Sequence, residues 1–594
     1  MKKNFLFCLV IILLTLLVYS NSFEGAFQYD DNHVIERNPF VKDPGRIPQF
    51  FVDPQLGSGI YTETSSYRPL LMASLGFNYL LGGMNVFGYH LLNFFLHLLC
   101  TILVYFLILH ILQFTHPPGQ VDSLRYSLMA LFAALVFGLH PVQTESVTYI
   151  NGRASSLTGL FFLASFLTYM QYRLSGTIRY LLLSAFAYAS ALLVKETAIT
   201  LFPILLLFNV MFAHGSNFRD RCVSLIPHFL LTLLYLIMRV YFFGSLQYGL
   251  RPLRPLYDQL LSQSRAWVHY LGTLLLPLNL NINYDFPVSH SILEYPVMLS
   301  IFILAALSWV IWRLSRSDRL IGFFALWFAI TLLPTNSVIA LEDLVCDRWL
   351  YLSVVGYAAL LALAAGWIFQ KRVEAGGRAG KIVFFSLCAL VVELYGFSTL
   401  LRNFDFTSPR TLWEDAVSKA PQNPRAYTSL GVALVSQGRL EEGARKFRQA
   451  IALEPRGGQA YLNLGYVYSV QGDLDNAIAF YEKAIPLSPK LLPEIYNNLG
   501  LAYLNQGKME ESEKYLREAI AIRPHIAAPH YNLGLYFEKM GDIEQAISYH
   551  EKANKLDPDY HLPYSALSRL YKIKGWSEKS REAYRNFLKY SSRR

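Results

Sequence analysis

Charged residues are scarce in this chain of 594 residues. Asp, Glu, Lys and Arg make up 16% of it, whereas a soluble domain usually carries about 25%. Hydrophobic residues make up 53% and aromatic residues 15%. This composition argues against a wholly soluble chain and predicts that much of it lies in lipid.

Cysteine is also rare, and its spacing argues against two kinds of site. The five cysteines form no C-x-x-C pair, so neither a disulfide framework nor a zinc site is expected. Most lie in or beside apolar runs and are interpreted as small buried hydrophobic residues. The N-terminal apolar run is followed by Ser20-Asn21-Ser22, a poor cleavage site, and is interpreted as an uncleaved first span.

Long apolar runs fill the chain from residue 1 to about residue 401. Lys and Arg gather in alternate loops between these runs, as the positive-inside rule requires of cytoplasmic loops. The most basic of these loops contains Lys371, Arg372, Arg378 and Lys381. The count is about eleven crossings, with the N-terminus in the cytoplasm and the C-terminus outside. The spans are placed near residues 4–20, 90–112, 127–140, 155–172, 179–194, 198–213, 224–243, 296–312, 320–334, 350–369 and 382–400.

Topology therefore explains most of the formal net charge of +10, and no nucleic-acid partner is expected. The chain is predicted to be an integral membrane protein of a bacterial inner or plasma membrane, or of the endoplasmic reticulum in a eukaryote. Membrane lipid is its first expected partner. Its C-terminal part is predicted on the outer face, which is periplasmic or luminal.

A repeat begins near residue 421 and continues to near residue 590. Leucines recur at spacings of 34 or 35 residues, glycine follows the first four, and a proline closes each of the first four units. Small residues let paired helices pack closely, and proline ends the second helix. The pattern resembles the tetratricopeptide repeat, whose units stack into a curved solenoid with a concave binding face. The marker leucines are Leu430, Leu464, Leu499, Leu533 and Leu567.

The predicted fold is all-α and has two parts. Residues 1–401 form a multispan helical membrane domain, residues 402–420 form a linker, and residues 421–594 form five repeats that are expected to bind a protein. The repeat units are predicted at about 421–454, 455–488, 489–523, 524–557 and 558–590.

Acidic residues gather in loops on the predicted outer face. Asp30 and Asp31 are adjacent and follow the first apolar run, and Glu145 lies in the loop HPVQTESVTYINGR. Charged residues beside membrane spans are costly and usually functional. Taken alone, the Asp30-Asp31 pair favours the alternative of a solvated surface loop. The three carboxylates are also candidate ligands for a divalent cation.

Cations lie in the same outer loops. Arg348, in LEDLVCDRWLYLS, opens an apolar run, and its alternative role is that of an interface arginine with its head group in water. Lys195 precedes Glu196, and a local ion pair is the alternative there. Arg68 lies in SYRPL, and Arg153 ends the second acidic loop. Arg348, Lys195, Arg68 and Arg153 are the candidate ligands for a lipid phosphate.

Acids and cations on one face are the groups that sugar transfer from a lipid phosphate requires. A carboxylate would remove the proton from an acceptor hydroxyl, and Arg or Lys would stabilise the departing phosphate. Two close carboxylates raise the pKa of one of them. One of Asp30 and Asp31 is therefore expected to be the base, and the other to orient the acceptor or a cation.

The order of the motifs resembles that of one family. QYDD after the first span is followed by SYRPL, FGYHLLNFFLH, HPVQTESV, VKETAIT, DRWLYLS and then LWEDAV before the repeats. This order is similar to that of the transmembrane and tetratricopeptide-repeat protein O-mannosyltransferases and their bacterial relatives, which are GT-C-type glycosyltransferases. Two departures are Asp347, where relatives often carry glutamate, and the absence of a proline after LYLS.

The resemblance implies an inverting transfer of a hexose, such as mannose, from a polyprenyl-phosphate donor to Ser or Thr hydroxyls of a protein on the outer face. It implies that Asp30 or Asp31 is the catalytic carboxylate, that Glu145 is the second acidic residue, and that Arg348 lies on the donor-phosphate side. The repeats would then recruit the protein acceptor. The resemblance requires no metal or other cofactor.

Two other functions fit the same sequence. The chain would be a non-enzymatic membrane scaffold if its repeats only gathered partners for envelope assembly or secretion. It would be a glycosyltransferase of glycans or lipids if the repeats served as an assembly platform. The membrane half by itself does not distinguish protein acceptors from these.

Overall fold

The computed structural model describes residues 2–58, 67–115, 123–212, 217–244, 254–370 and 377–591. Within these ranges the regular structure is helical, without a β-strand, which confirms the all-α prediction. Contacts divide the chain into two units. The first comprises Met1–Val34, Pro44–Gly57 and Glu63–Leu412, and the second comprises Ile35–Asp43, Ser58–Thr62 and Trp413–Arg594.

The first unit contains a succession of mostly apolar helices. Their lengths vary from four to thirty residues. In chain order they are α1 (Lys2–Tyr19), α2 (Pro69–Gly82), α3 (Val86–Thr115), α4 (Ser123–Leu139), α5 (Thr144–Val147), α6 (Arg153–Ser175), α7 (Ile178–Leu192), α8 (Leu201–Phe212), α9 (Phe218–Phe243), α10 (Leu256–Leu275), α11 (Tyr295–Ser315), α12 (Arg319–Leu332), α13 (Ser353–Ile368) and α14 (Gly377–Asp405).

Each of the eleven predicted spans coincides with a helix, but a count of eleven crossings is not confirmed. Among the described residues, α1, α3, α9, α11 and α14 are long and apolar enough to cross a membrane, and α4 with the bent segment after it is a sixth candidate. The apolar helices α2, α7, α8, α12 and α13 are shorter than the roughly 20 residues that a full crossing needs. Lys371 and Arg372 of the basic loop lie outside the described residues.

Aromatic and aliphatic side chains of α3, α4, α6, α12 and α13 fill the interior of the first unit. Trp327 is fully buried, and its ring centroid lies 5.2 Å from that of Phe166. Buried His97 is hydrogen-bonded to the Tyr351 hydroxyl at 3.0 Å and to the Gly138 carbonyl oxygen at 2.9 Å. This side chain of α3 therefore contacts the C-terminal end of α4 and the segment that precedes α13.

Pro141 interrupts the chain after α4, because proline cannot continue a helix. The preceding His140 caps the next turn, since its Nδ1 accepts a hydrogen bond from the Val142 N–H at 3.2 Å. The short helix α5 follows and carries Glu145. The proline thus explains why this acidic side chain lies at a break between helices rather than within a span.

Among its described residues, the second unit contains five consecutive helix pairs. Asn423 caps the first helix of one pair, and Asp542 caps the second helix of another. Each side chain accepts a hydrogen bond from a backbone N–H in the first turn, as N-cap residues do. The pairs are α16 (Pro424–Ser436) with α17 (Leu440–Leu453), α18 (Gly458–Gln471) with α19 (Leu474–Ala484), α20 (Leu492–Gln506) with α21 (Met509–Ile522), α22 (Ala527–Met540) with α23 (Ile543–Leu556), and α24 (His561–Ile573) with α25 (Ser577–Ser591).

Glycine on the first helix of a pair allows the second helix to pack closely. A Cβ atom on Gly500 would lie 2.6 Å from Leu516 Cγ, and one on Gly431 would lie 2.4 Å from the Phe447 ring. A second set of glycines, which the sequence interpretation missed, turns the chain after the first helix of every pair with φ between 77° and 83°. Such left-handed positions favour glycine. They are Gly438, Gly472, Gly507, Gly541 and Gly575.

The stretch 402–420, which was predicted to be a linker, is mostly helical. It contains the end of α14 and the helix α15 (Pro409–Lys419), within which the division between the two units falls. The second unit also includes the segment Ile35–Asp43, and there Lys42 Nζ lies 3.4 Å from Asp559 Oδ2.

We expect Gly500→Ala to destabilise the second unit. Alanine alone would favour the helix by about 1 kcal/mol, but its methyl group would meet Leu516 at 2.6 Å, and overpacking costs about 1–3 kcal/mol. The measurement is the thermal unfolding midpoint of the full chain in detergent. Gly272→Ala is the matched control because nothing lies within 4 Å of its added methyl group. An unchanged or raised midpoint for Gly500→Ala would contradict the close packing.

Candidate active site

The predicted site residues lie at breaks between helices of the first unit. Asp30 and Asp31 follow α1 and precede a short helical turn, Asn32–Glu36. Lys195 lies between α7 and α8, and Arg348 lies in a single turn before α13. These residues are far apart in the sequence, so the tertiary fold has to bring them together.

Asp31 is a buried carboxylate that holds the backbone of two loops. The residue is 1% exposed. Its Oδ2 accepts a hydrogen bond from the Gln28 N–H at 2.9 Å, and its Oδ1 accepts one from the Asn151 N–H at 2.9 Å. Asp31 therefore ties the loop after α1 to the loop before α6. Because both of its oxygens are engaged by backbone amides, Asp31 is placed to position these loops.

Asp30 is more open than its neighbour, with 30% of its side chain exposed. Its Oδ1 lies 3.4 Å from His33 Nε2, and its backbone N–H donates to the Tyr149 hydroxyl at 3.0 Å. The preceding Tyr29 has a φ of 51° and is the one non-glycine residue with positive φ in the described part of the chain. This conformation is uncommon outside glycine. The turn at Tyr29 gives the two adjacent carboxylates different surroundings.

The electrostatic surroundings of Asp30 favour its ionised form. Burial by itself would raise the pKa of Asp30, but the hydrogen bond with His33, the positive charge of Arg348 and the Tyr149 hydroxyl together lower that pKa. Asp30 is therefore ionised at neutral pH, as a general base must be. Of the adjacent pair, Asp30 is the carboxylate that is both ionised and partly open to solvent.

Glu145 and Arg348 form an ion pair between two loops. Arg348 Nη1 donates to Glu145 Oε1, and the Arg348 backbone N–H donates to Oε2 at 3.0 Å. The Glu145 side chain is 4% exposed, whereas that of Arg348 is 21% exposed. The pair therefore holds the guanidinium in place, and the positive charge of this guanidinium lowers the pKa of Asp30. Part of the Arg348 side chain stays accessible to a ligand.

Lys195 is buried near Arg348 and is connected to it through one hydroxyl. Lys195 Nζ donates to Ser155 Oγ at 3.1 Å, and Ser155 Oγ donates to the Arg348 carbonyl oxygen at 3.3 Å. Burial and the positive charges of Arg68 and Arg348 lower the pKa of Lys195 to about 8, although Glu196 acts in the opposite direction. A bound anion would favour the charged form of these neighbouring cations. The cluster is therefore suited to bind a phosphate.

Glu196 pairs with Arg68. Arg68 Nη2 lies 3.0 Å from Glu196 Oε1 and 3.3 Å from Oε2. A local ion pair between Lys195 and Glu196, the alternative considered from the sequence, is not formed among the described residues. The side chain of Arg68 is 23% exposed, and it lies close enough to Lys195 to lower the pKa of the ammonium.

Arg153 is fully buried and hydrogen-bonded within the protein, which argues against its predicted role in phosphate binding. Its Nε donates to Asn93 Oδ1 at 2.6 Å, Nη1 donates to the Ser74 carbonyl oxygen at 3.1 Å, and Nη2 donates to the Tyr89 carbonyl oxygen at 3.0 Å. Asn93 in turn donates to three carbonyl oxygens of residues 147–150. Arg153 thus supports the loop that carries Tyr149.

The sequence interpretation missed three residues that connect the site. Tyr149 contacts Asp30, Ser155 connects Lys195 to Arg348, and Asn93 supports the loop before α6. Asn93 had a signal, because a polar side chain within the apolar run FGYHLLNFFLH must find a hydrogen-bond partner. Tyr149 and Ser155 had none, since tyrosine and serine are ordinary residues at the ends of helices.

The three carboxylates named as candidate metal ligands are engaged separately. Asp31 accepts backbone amides and Glu145 faces Arg348, while Asp30 lies beside His33. Among the residues that the structure describes, no three His, Cys, Asp or Glu side chains are grouped as a metal site.

We expect Asp31→Asn to lower stability more than Asp30→Asn. The asparagine amide offers one acceptor oxygen where Asp31 offers two, so one buried backbone N–H loses its partner at a cost of about 1–3 kcal/mol. Asp30 is partly exposed, and its replacement leaves no buried backbone group unpaired. Thermal unfolding midpoints of the two variants in detergent test this difference. Equal midpoints would contradict the positioning role of Asp31.

Family models described as tetratricopeptide repeats match residues 398–448, 430–491 and 491–558. Among solved structures, the crystal structure of MamA has 24% sequence identity to this chain. The match includes 28% of this chain and 95% of the MamA chain, with a TM-score of 0.24.

Three curated relatives are similar along most of the chain. Protein O-mannosyl-transferase Tmtc3 of Drosophila melanogaster is 25% identical, with 76% of this chain and 55% of the relative covered. Protein O-mannosyl-transferase F38B6.6 of Caenorhabditis elegans is 25% identical over 75% of this chain and 62% of the relative. Protein O-mannosyl-transferase TMTC1 of Homo sapiens is 25% identical over 73% of this chain and 54% of the relative.

The chain therefore spans between half and two-thirds of the length of these relatives. Because it covers about three-quarters of the chain, the similarity includes parts of both the apolar helices and the repeats. Together with the repeat matches, it makes the chain similar to the protein O-mannosyl-transferases in both its apolar helices and its repeats.

Proposed function

We propose that this protein is a membrane glycosyltransferase that transfers a hexose from a polyprenyl-phosphate donor to Ser or Thr hydroxyls of proteins. The transfer takes place on the outer face of the membrane, and the repeats bind the acceptor protein. The relatives are named as protein O-mannosyl-transferases, which favours mannose as the hexose. The observation that carries the proposal is an ionised, accessible carboxylate, Asp30, next to the cation Arg348, which Ser155 connects to Lys195.

The reaction assigns one task to Asp30. The acceptor hydroxyl oxygen forms a bond to the anomeric carbon of the sugar, and its proton passes to the Asp30 carboxylate. The bond between the anomeric carbon and the phosphate oxygen breaks, and the polyprenyl phosphate leaves with the electron pair. Attack opposite the leaving phosphate inverts the anomeric carbon. A positioned base of this kind contributes about 10²–10⁴-fold to a rate.

Arg348, Lys195 and Arg68 bind the donor phosphate in this proposal. The leaving phosphate gains negative charge as the bond breaks, and fixed cations stabilise that charge most in the transition state. A planar guanidinium can donate two parallel hydrogen bonds to phosphate oxygens, and an ammonium acts as a point charge. The ion pair with Glu145 keeps the Arg348 guanidinium oriented before the donor arrives.

Asp31, Glu145 and Arg153 are positioning residues in this proposal. Asp31 holds the backbone around Asp30, Glu145 orients Arg348, and Arg153 supports the loop that carries Tyr149. Their loss would displace the reacting groups without removing them. Variants of these three residues should therefore lose activity together with stability, whereas Asp30 variants should lose activity alone.

The function is tested by mass spectrometry of outer-face proteins and glycans from cells with and without the chain. We expect a hexose on Ser or Thr peptides that disappears with the chain and returns with the wild type but not with Asp30→Asn. Glu24→Gln is the matched control, because this acid lies in the same loop and is exposed. Hexose lost from glycans or lipids instead would favour that acceptor class. No lost hexose would favour a scaffold.

We expect kcat/KM for the donor, which reports the donor-free protein, to fall as the pH rises through about 8. Lys195 has a pKa lowered to about 8, so it is protonated below this pH and loses its charge above it. Asp30 has a lowered pKa and stays ionised over the same range, so it does not cause the decline. The rate is measured against pH with the purified protein, a polyprenyl-phosphate hexose and a Ser/Thr peptide.

Lys195→Arg should move this alkaline decline to higher pH, because arginine keeps its charge. Lys195→Met should be slow at every pH. A decline near pH 8 that persists unchanged in Lys195→Arg would refute the assignment of Lys195 to the phosphate.

A further inference from the structure

An apolar groove of about 740 Å³ lies between α1, α4, α13 and α14. Of the residues proposed for sugar transfer, none lines it. Its described walls are mainly aliphatic and aromatic, and the acidic and basic side chains among them are Glu393 and Arg125. An ionisable side chain within a membrane span is costly and indicates a functional site.

Glu393 lies near the middle of a helix that is long enough to cross the bilayer. Along α14 it is twelve residues beyond Lys381 and nine before Arg402, which corresponds to about 18 Å and 14 Å at a rise of 1.5 Å per residue. A hydrocarbon core about 30 Å thick therefore has Glu393 close to its midplane. The side chain is exposed on the helix surface, and it makes no hydrogen bond or ion pair with the described residues.

Arg125 is not the partner of Glu393. Its Nη2 donates to the Gly366 carbonyl oxygen at 2.8 Å and to Gln370 Oε1 at 3.1 Å. Next to Gln370, the ring of Phe369 packs against that of Phe384, with centroids 5.4 Å apart. Glu393 is nine residues further along α14 than Phe384, or about 14 Å, which is too far for an ion pair.

We propose that this groove docks the transmembrane helix of a partner protein that carries a lysine or arginine near its middle, opposite Glu393. Ionisable groups within membranes pair with one another, and Glu393 lacks its counterpart within the described chain. The groove also contains the small residues Ala362, Ala365 and Ala389, which allow the backbone of a second helix to approach closely.

Charge complementarity favours such a helix over two other occupants. A lipid tail is apolar and offers no polar group that could pair with Glu393 in the hydrocarbon. A second copy of this chain, related by a twofold axis, would bring the same surface to the interface, and two Glu393 carboxylates would then face each other. A cationic side chain on a partner helix meets the requirement directly.

The proposal is tested with the full chain in nanodiscs and a labelled synthetic helix of leucine and alanine with one central lysine. Binding is measured by energy transfer between the peptide and the chain. We expect the lysine peptide to bind the wild type about tenfold more tightly than Glu393→Leu or Glu393→Gln, the effect of one strong polar contact between helices. A peptide with central leucine should not distinguish these proteins.

A relocated carboxylate provides the matched control. In the double variant Glu393→Leu, Leu307→Glu the acid moves to the exposed face of α11 near its middle, outside the groove, and binding should stay weak. Equal binding of the lysine peptide to all the proteins would overturn the proposal. So would self-association of the chain that depends on Glu393, or a tightly retained phospholipid that blocks peptide binding equally in wild type and variants.

Discussion

The buried contact between Glu145 and Arg348 is the interaction on which the rest of the site depends. It joins residues 203 positions apart and uses both oxygens of a carboxylate that is almost wholly buried. Removing either partner would leave an unpaired charge, and the cost of that is large when the remaining group is buried. The position of Arg348 in turn determines where its positive charge lies relative to Asp30. It also places the Arg348 carbonyl oxygen that accepts the hydrogen bond from Ser155.

Neighbouring residues of the same type have different tasks because their surroundings differ. Asp31 accepts two backbone amides in the interior, whereas Asp30 is open and lies beside His33 and Arg348. The positive φ of Tyr29 accompanies this separation. Strained backbone of this kind is concentrated at functional sites, where the surrounding structure maintains it. The pair therefore consists of one open and one buried carboxylate rather than two interchangeable acids.

Part of this organisation follows from the sequence alone. The apolar runs predict helices because their length and composition leave no other structure in lipid, and eleven of them are found where the sequence places them. The repeat is equally well determined, since leucine, glycine and proline recur at the spacing of a helix pair. The residue types near the site, such as Asp30 and Arg348, are also visible, because charges stand out in an apolar chain.

The tertiary structure decides what each of those charges does. Arg153 and Arg348 look alike in the sequence, yet the first has its donors engaged by Asn93 and backbone carbonyls while the second is partly open. Asp31 differs from Asp30 because it accepts a hydrogen bond from the backbone amide of Asn151, which lies 120 positions away in the sequence. Local sequence fixes helices and turns because those depend on near neighbours. Burial, partners and pKa depend on contacts between distant segments, which only the folded chain brings together.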